Sequence, residues 1–277
     1  MESTGAVKIF KRSEELHKLH YVGSVGDGDS KSFSSVVSAE PYPGKTITKK
    51  ECVGHVKKRM GTHLRKLKQK SGKSKLADGK TMGGQGRLTD KEIDNLQLYY
   101  GLAIRRNKGT LAGMKNDISA ILEHKGSTDE KHNHSLCPEG ENSWCGWQKH
   151  KALGTATYKH KHSLPPAIIN AISPIFKQLS DDALLSKCLD GFTQNACESF
   201  NSLIWKRCPK EVYTGKTALS IAVALAVSHF NDGATSVCKM LKFLGLDVGH
   251  HTRKWSMQED KTRVKASKKG QTVKKRK

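Results

Sequence analysis

Two aspartates alternate with glycines in Gly26-Asp27-Gly28-Asp29-Ser30-Lys31. Carboxylates on a glycine-flexible backbone, directly after a β-prone run, offer the oxygen ligands that hard divalent cations such as Mg²⁺ take. Asp-Gly pairs are also ordinary turn formers, so the same residues fit a purely structural turn. A third acid, Glu198, lies within Asn195-Ala196-Cys197-Glu198-Ser199-Phe200-Asn201-Ser202-Leu203-Ile204-Trp205. There Phe200, Leu203 and Ile204 make an apolar stripe at helical spacing, and Glu198 shares a neighbouring face with Asn195 and Asn201. Cys52-Val53-Gly54-His55 has the ligand spacing of half a zinc site. Cys137 and Cys145, or His132, His134, His160 and His162, are the candidates for its other half. The plainer alternative is a cysteine facing a core and a solvated histidine.

These residues need elements to position them. Val7, Ile9, Phe10, Leu16 and Leu19 recur at helical spacing and predict a helix over 4–20. Tyr21 to Val25 predicts a short strand, closed by the Gly-Asp turn. Ser30 to Ala39 predicts a helix ended by Pro41 and Pro43, and 46–48 a second short strand. A basic helix is expected over 49–70, then a mobile Gly/Ser/Lys loop over 71–87. Thr89 followed by Glu92 forms a capping box opening a helix through Ile93, Leu96, Tyr99, Tyr100 and Ile104. Further helices are expected over 111–124, 165–179, 181–189, 195–207 and 217–229, with a loop over 125–163. The apolar stretch Ala218 to Val227 reads as a buried helix. The fold class is therefore α/β but mainly helical.

Charge narrows the partners. The chain has 277 residues, 49 Lys+Arg against 26 Asp+Glu, and a formal net charge of +23. Such a balance argues against an acidic or purely small-molecule specialist and favours a polyanion, most simply nucleic acid. Residues 49–75 hold eleven Lys/Arg and one acid, Glu51, and 261–277 hold nine Lys/Arg and no acid. The cluster Lys274-Lys275-Arg276-Lys277, with Lys268-Lys269 before it, fits nuclear import. No window approaches ~18 consecutive apolar residues, so no membrane span is expected. Met-Glu-Ser-Thr-Gly lacks the layout of a secretory leader. Seven scattered cysteines then suggest a reducing compartment, with thiols in cores or on metals.

At these residues the sequence resembles the Mutator-like transposase domain of animal mobile elements. The resemblance is carried by 26–31, by Cys52-x₂-His55 with Lys57-Lys58-Arg59, and by Tyr99-Tyr100-Gly101-Leu102-Ala103-Ile104-Arg105-Arg106. It continues through Cys137-Pro138-Glu139-Gly140-Glu141-Asn142-Ser143-Trp144-Cys145, Thr193 to Ser202, and Trp205-Lys206-Arg207-Cys208-Pro209-Lys210. The resemblance implies a DDE transposase with an RNase H-like core, two Mg²⁺ and in-line attack on a phosphodiester. Asp27 or Asp29 would be the second acid and Glu198 the third, with a helical insertion between them. The family pattern puts the first acid on a strand meander before the first helix. None is found ahead of residue 4, so an incomplete core and a catalytically incomplete fragment are expected.

The expected division is a partial core over 1–48, an insertion over 49–189, C-terminal core helices over 190–249 and a disordered basic tail over 250–277. Cys52, His55, Cys137 and Cys145 are the expected zinc ligands. Asp27 and Glu198 are the expected Mg²⁺ ligands. Lys57, Lys58, Arg59, Arg65, Lys66, Lys68, Arg105, Arg106, Lys206 and Arg207 are expected to meet DNA, meaning transposon ends and target. A homo-oligomer is one further expectation. A non-catalytic module for RNA or an acidic protein is the alternative from another class.

Overall fold

The computed structural model describes residues 2–28, 31–155, 158–160 and 163–275, with 269–275 described by backbone alone. Asp29 and His162 lie outside the described residues. The chain divides into two compact units, one ending at Gln194 and one spanning Asn195–Lys277.

Unit 1 begins with α1 (Glu2–Lys11), α2 (Ser13–His17), β1 (Gly23–Gly26), α3 (Lys31–Ser38) and β2 (Thr48–Glu51). The expected single helix over 4–20 is split, because the Ser13 hydroxyl is buried and donates to the carbonyl of Phe10 at 2.8 Å. β1 and β2 pair in parallel, with Gly23 opposite Thr48 and Gly26 opposite Glu51. Parallel strands need a crossover, and α3 lies in it. Phe10, Val36, Tyr42 and Ile47 bury against one another as the small core of this corner. The strand 48–51 takes three residues from the expected basic helix. The N–H of Thr48 bonds Val22 O and that of Cys52 bonds Gly26 O, both at 2.9 Å. This pairing overrides the helical preference of Lys49 to Glu51.

Unit 1 continues with α4 (Val53–Ser71), α5 (Asp90–Arg106), α6 (Leu111–Gly126), α7 (Gly146–Ala152), α8 (Pro166–Leu179) and α9 (Asp182–Leu185), which runs into a 3₁₀ turn at Ser186–Cys188. The 3.6-residue period explains the packing. Val53, Val56, Met60 and Leu64 on α4 face Ile93, Leu96, Tyr100 and Ile104 on α5 and Ile168, Ile172 and Phe176 on α8, in one buried cluster. Thr89 caps α5, its hydroxyl accepting from the N–H of Glu92 at 3.2 Å. The segment 71–87, expected to be mobile, is tied down. Met82 is buried in the helical core beside Leu88, and Arg87 forks onto Asp78, one arm at 3.2 Å. That bond to Arg87 holds the Asp78 carboxyl below its usual range.

Unit 2 contains α10 (Asn195–Trp205), α11 (Lys216–Asp232), α12 (Ser236–Phe243) and α13 (His250–Lys275). Two expectations are corrected here. α11 is apolar but not buried: Ala222 and Ala226 are, while Leu219, Ile221, Val227 and Phe230 are exposed. The two alanines, one turn apart, form a narrow buried stripe. Of the tail expected to be disordered, His250–Lys275 is helical, since Lys, Arg, Gln, Glu, Met and Ala all favour helix. Among the described residues no helix is long and apolar enough to cross a membrane.

Asp260 ties α13 to the start of α12. Its carboxylate accepts from Ala234 N–H at 2.7 Å and from Thr235 N–H and Oγ1 at 3.1 Å. Burial works to raise the Asp260 pKa, but these bonds outweigh it and the net shift is downward. The unfolded chain therefore takes up this proton first. The stabilisation is whole above about pH 4, the ordinary carboxyl value, and is lost as pH falls through the lower folded value. Hydrogen exchange at the Ala234 and Thr235 amides should accelerate below that pH. Asp260→Ala should show fast exchange already at neutral pH and no acid step.

Candidate functional site

The carboxyl end of the strand pair carries the first candidate. Asp27 follows β1 directly and is exposed, and Gly28 sits at φ +105°. A side chain there would be strained, and its Cβ would come within 2.8 Å of Arg59 Nη2. Arg59, in the second turn of α4, donates to Asp27 O at 3.0 Å and to Glu51 Oε2 at 2.6 Å. Glu51 is only 5 % exposed. Lys49 Nζ reaches Gly28 O at 3.4 Å. The turn is thus held through its carbonyls by two cations, while the Asp27 side chain stands at the surface.

Cys52 and His55 lie at the strand-to-helix junction beside this turn. Cys52 is buried, and its Sγ accepts from Gln194 N–H at 3.3 Å. The Gln194 side chain donates to Val25 O at 3.2 Å, and Lys50 pairs with Asp190 at 2.7 Å. Residues 190–194 are therefore fastened to the strand pair within unit 1. Glu198 is exposed on α10 of unit 2, as are Lys206 and Arg207 just beyond that helix.

The structure sorts the basic residues expected on DNA. Toward the carboxyl end of α4, Arg65 pairs with Asp94 and Lys68 with Asp90 at 2.9 Å, so α5 neutralises both. The opposite end is different. Gly101 of α5 leaves a notch for the Lys57 stem, and a Cβ there would lie 2.7 Å from Lys57 Cδ. Burial, then the charge of Arg105, push the Lys57 pKa down against the pull of Asp94. Arg105 and Arg106 are exposed in the last turn of α5, and Lys58 is exposed in the second turn of α4, whereas Lys66 is exposed nearer the carboxyl end beside Arg65. Positive charge is therefore stacked on positive charge at one end of the α4–α5 pair. This is the electrostatic setting of a phosphate site.

A third constellation lies where α6 ends and α7 begins. His124 Nδ1 or Nε2, a His134 ring nitrogen, Cys137 Sγ and Cys145 Sγ all lie within 4.8 Å of one another. His134, Cys137 and Cys145 are buried. Cys137 Sγ is 3.8 Å from both His124 Nδ1 and His134 Nδ1, and Cys145 Sγ is 3.5 Å from His134 Nδ1. The neighbouring Cys137 thiol holds the Cys145 pKa well below the usual thiol range, with burial opposing and His124 assisting. The same contact pushes Cys137 up. Burial lowers His134. Trp144 stands edge-on to His124 at 5.0 Å, and Trp147 stacks on His134 at 5.0 Å.

Cys137 and Cys145 thus meet as expected, but with His124 and His134 rather than with Cys52 and His55. Among the described residues the latter two belong to neither potential metal group. His124 was missed by sequence reasoning. Its signal was a histidine in the last turn of a helix that leads straight into a loop rich in His and Cys.

The family model described as Mutator-like transposase matches residues 1–145. That span includes Asp27, the α4–α5 pair and the His/Cys cluster, and stops short of Glu198. No curated protein and no solved structure matches the chain.

Proposed function

We propose, for a chain that belongs to the Mutator-like transposase family, that the Lys57–Arg105–Arg106 end of the α4–α5 pair grips the DNA backbone beside the acidic turn. Family membership gives a transposon-related function. The observation that carries the finer reading is the stacking of like charge around Lys57, against neutralised arginine and lysine at the other end. Cations held near one another gain most when a polyanion arrives and releases its counterions.

The Asp27 turn fits the Mg²⁺ that the family implies: a hard carboxylate at the mouth of parallel strands, exposed, with its backbone held by Arg59. Asp27, or Asp29 two residues on in the sequence, would hold the ion. When bound, the ion supplies Lewis-acid polarisation of a phosphodiester and of water. The chain's own part is to hold the turn and bring the phosphate to it. The parallel strand pair with its α3 crossover supports an RNase H-like reading of this corner. The basic C-terminal clusters support nuclear import, and Lys206 and Arg207 are exposed cations of unit 2.

Titration of a fluorescent DNA duplex by anisotropy, at salt from about 50 to 200 mM, tests the interface. Binding should fall steeply with salt. Arg105→Ala with Arg106→Ala should reduce the log–log slope by roughly 1.8, at about 0.9 for each phosphate no longer neutralised. Arg65→Ala with Lys68→Ala should leave the slope nearly unchanged. Absence of binding at about 50 mM salt, or a slope carried by Arg65 and Lys68 instead, would overturn the reading.

A further inference from the structure

The segment from Ser127 to Ser163 has a packing problem. Among its described residues the fully enclosed side chains are Ser127, His134, Cys137, Cys145 and Gln148, without one aliphatic residue. Apart from the short helix α7 it is a long connection, and long connections with so little secondary structure are uncommon in compact domains unless something holds them. Hydrophobic burial does not hold this one. Polar contacts hold part of it: Ser127 Oγ donates to Glu123 O and Gln148 Nε2 to His134 O, both at 2.9 Å.

We propose that His124, His134, Cys137 and Cys145 form a structural Zn²⁺ site, with His160 and Asp129 as an outer relay that orients His134. The donor set is two thiolates and two imidazoles, which suits tetrahedral zinc. The edge lengths agree. With Zn–S of about 2.3 Å and Zn–N of about 2.0–2.1 Å, a tetrahedron has S···N edges of about 3.6 Å. The three S···N distances here are 3.5, 3.8 and 3.8 Å. His134 Nδ1 faces both sulfurs, and one imidazole nitrogen cannot hydrogen-bond two thiols as well as it can share a single cation with them.

The second histidine group, His132, His134 and His160, is assigned differently. His134 Nε2 lies 2.8 Å from His160 Nε2. Two nitrogens on one tetrahedral zinc would be about 3.3 Å apart by the same bond lengths, whereas 2.8 Å suits a hydrogen bond. His160 Nδ1 is in turn 2.7 Å from Asp129 Oδ1. One proton assignment satisfies the whole chain. Asp129 accepts from His160 Nδ1–H, His160 Nε2 accepts from His134 Nε2–H, and His134 Nδ1 is left with its lone pair toward the sulfurs. Metal-bound histidines characteristically hand their second N–H to such a partner. The ion would fasten 134–145 to the end of α6 and do there what apolar side chains do elsewhere.

The full-length chain, purified without chelator, should contain one zinc by elemental analysis. Replacement by Co²⁺ should give intense visible bands of a tetrahedral ion with a thiolate charge-transfer shoulder. Cys145→Ser should roughly halve that shoulder, leaving the Cys137 thiolate band, or abolish the binding. His160→Ala should keep one metal per chain but weaken its affinity about 10- to 100-fold in a chelator competition, as loss of an outer partner does. Cys52→Ser and His55→Ala should leave stoichiometry and spectrum unchanged. The Co²⁺ spectrum of the unaltered chain keeps the test decisive should Cys145→Ser fail to fold. A weak octahedral spectrum, no metal after reconstitution, or loss of metal in Cys52→Ser would overturn the proposal. None of these readouts depends on DNA binding.

Discussion

Arg59→Met is expected to destabilise unit 1 by an amount toward the lower end of the ~3–5 kcal/mol that breaking a buried ion pair costs. Glu51 is the reason. Its side chain is 7 % exposed, and Arg59, at 30 %, is 2.6 Å from its carboxylate. Without the guanidinium, a desolvated carboxylate is left at the end of β2. Partial exposure of Arg59 lets water reach the pair and moderates the loss. A second effect follows from the other bond of the same group. Arg59 Nη2 donates to Asp27 O, so its removal also releases the turn that presents Asp27. Urea unfolding gives the first effect. The second appears as faster hydrogen exchange at the Cys52 amide, which closes the strand ladder on Gly26. Arg59→Lys should fall between, because an ammonium keeps the charge without the planar fork. An unchanged midpoint with a protected Cys52 amide in Arg59→Met would show that Glu51 is satisfied by other means.

The helices were legible where the apolar period was clean. Leu111–Gly126, Pro166–Leu179 and Asp90–Arg106 lie within a few residues of expectation, because Ile93, Leu96, Tyr100 and Ile104 mark one face and Thr89 marks the start. The start of α4 was not legible. Nothing in Lys49-Lys50-Glu51 signals a strand, and only pairing with β1, set by a partner more than twenty residues away, makes it one. The order of 71–87 was hidden for a similar reason. Its composition is that of a linker, but Met82 and Arg87 find partners that the local sequence does not announce. α11 misled in the opposite direction. An apolar composition describes what a helix could bury, not how much surface the rest of the unit offers.

The same logic applies to the candidate sites. Asp27 was visible because strand, turn and carboxylate are consecutive. The basic residues were visible as a class, but their sorting was not. Whether Arg65 or Arg105 is neutralised depends on the antiparallel run of α5 along α4, which pairs Asp90 with Lys68 and Asp94 with Arg65. The metal ligands mixed both situations. Cys137 and Cys145 flank one short loop, whereas His124 joins them from the preceding helix and Cys52 is drawn to Gln194 instead.

Lys125→Met should produce the largest loss of stability in unit 1, over the full ~3–5 kcal/mol expected for an orphaned buried charge. Lys125 and Glu92 are both enclosed, at 9 % and 13 % side-chain exposure, with Nζ 2.8 Å from Oε1. The ammonium also lies 5.6 Å above the Tyr99 ring, a cation–π contact that methionine would not replace. The two partners are not equivalent. Glutamate is short and fixed in the first turn of α5, so it cannot reach water once its partner is gone. Lysine has a four-carbon stem and can swing its head outward. Glu92→Leu should therefore cost less than Lys125→Met. The double variant should recover most of the loss, since an apolar pair of similar volume avoids the desolvation of both charges. Urea midpoints of the three variants close the cycle, and a double variant as unstable as Lys125→Met would show that the lysine acts through packing rather than charge. Lys125 follows His124 directly, and its carbonyl accepts from Leu164 N–H at 2.7 Å. The ion pair thus sets the end of α6 from which one metal ligand projects. Chelator competition on Lys125→Met should show weaker metal retention, while the double variant, with the helix end restored, should return to the level of the unaltered chain.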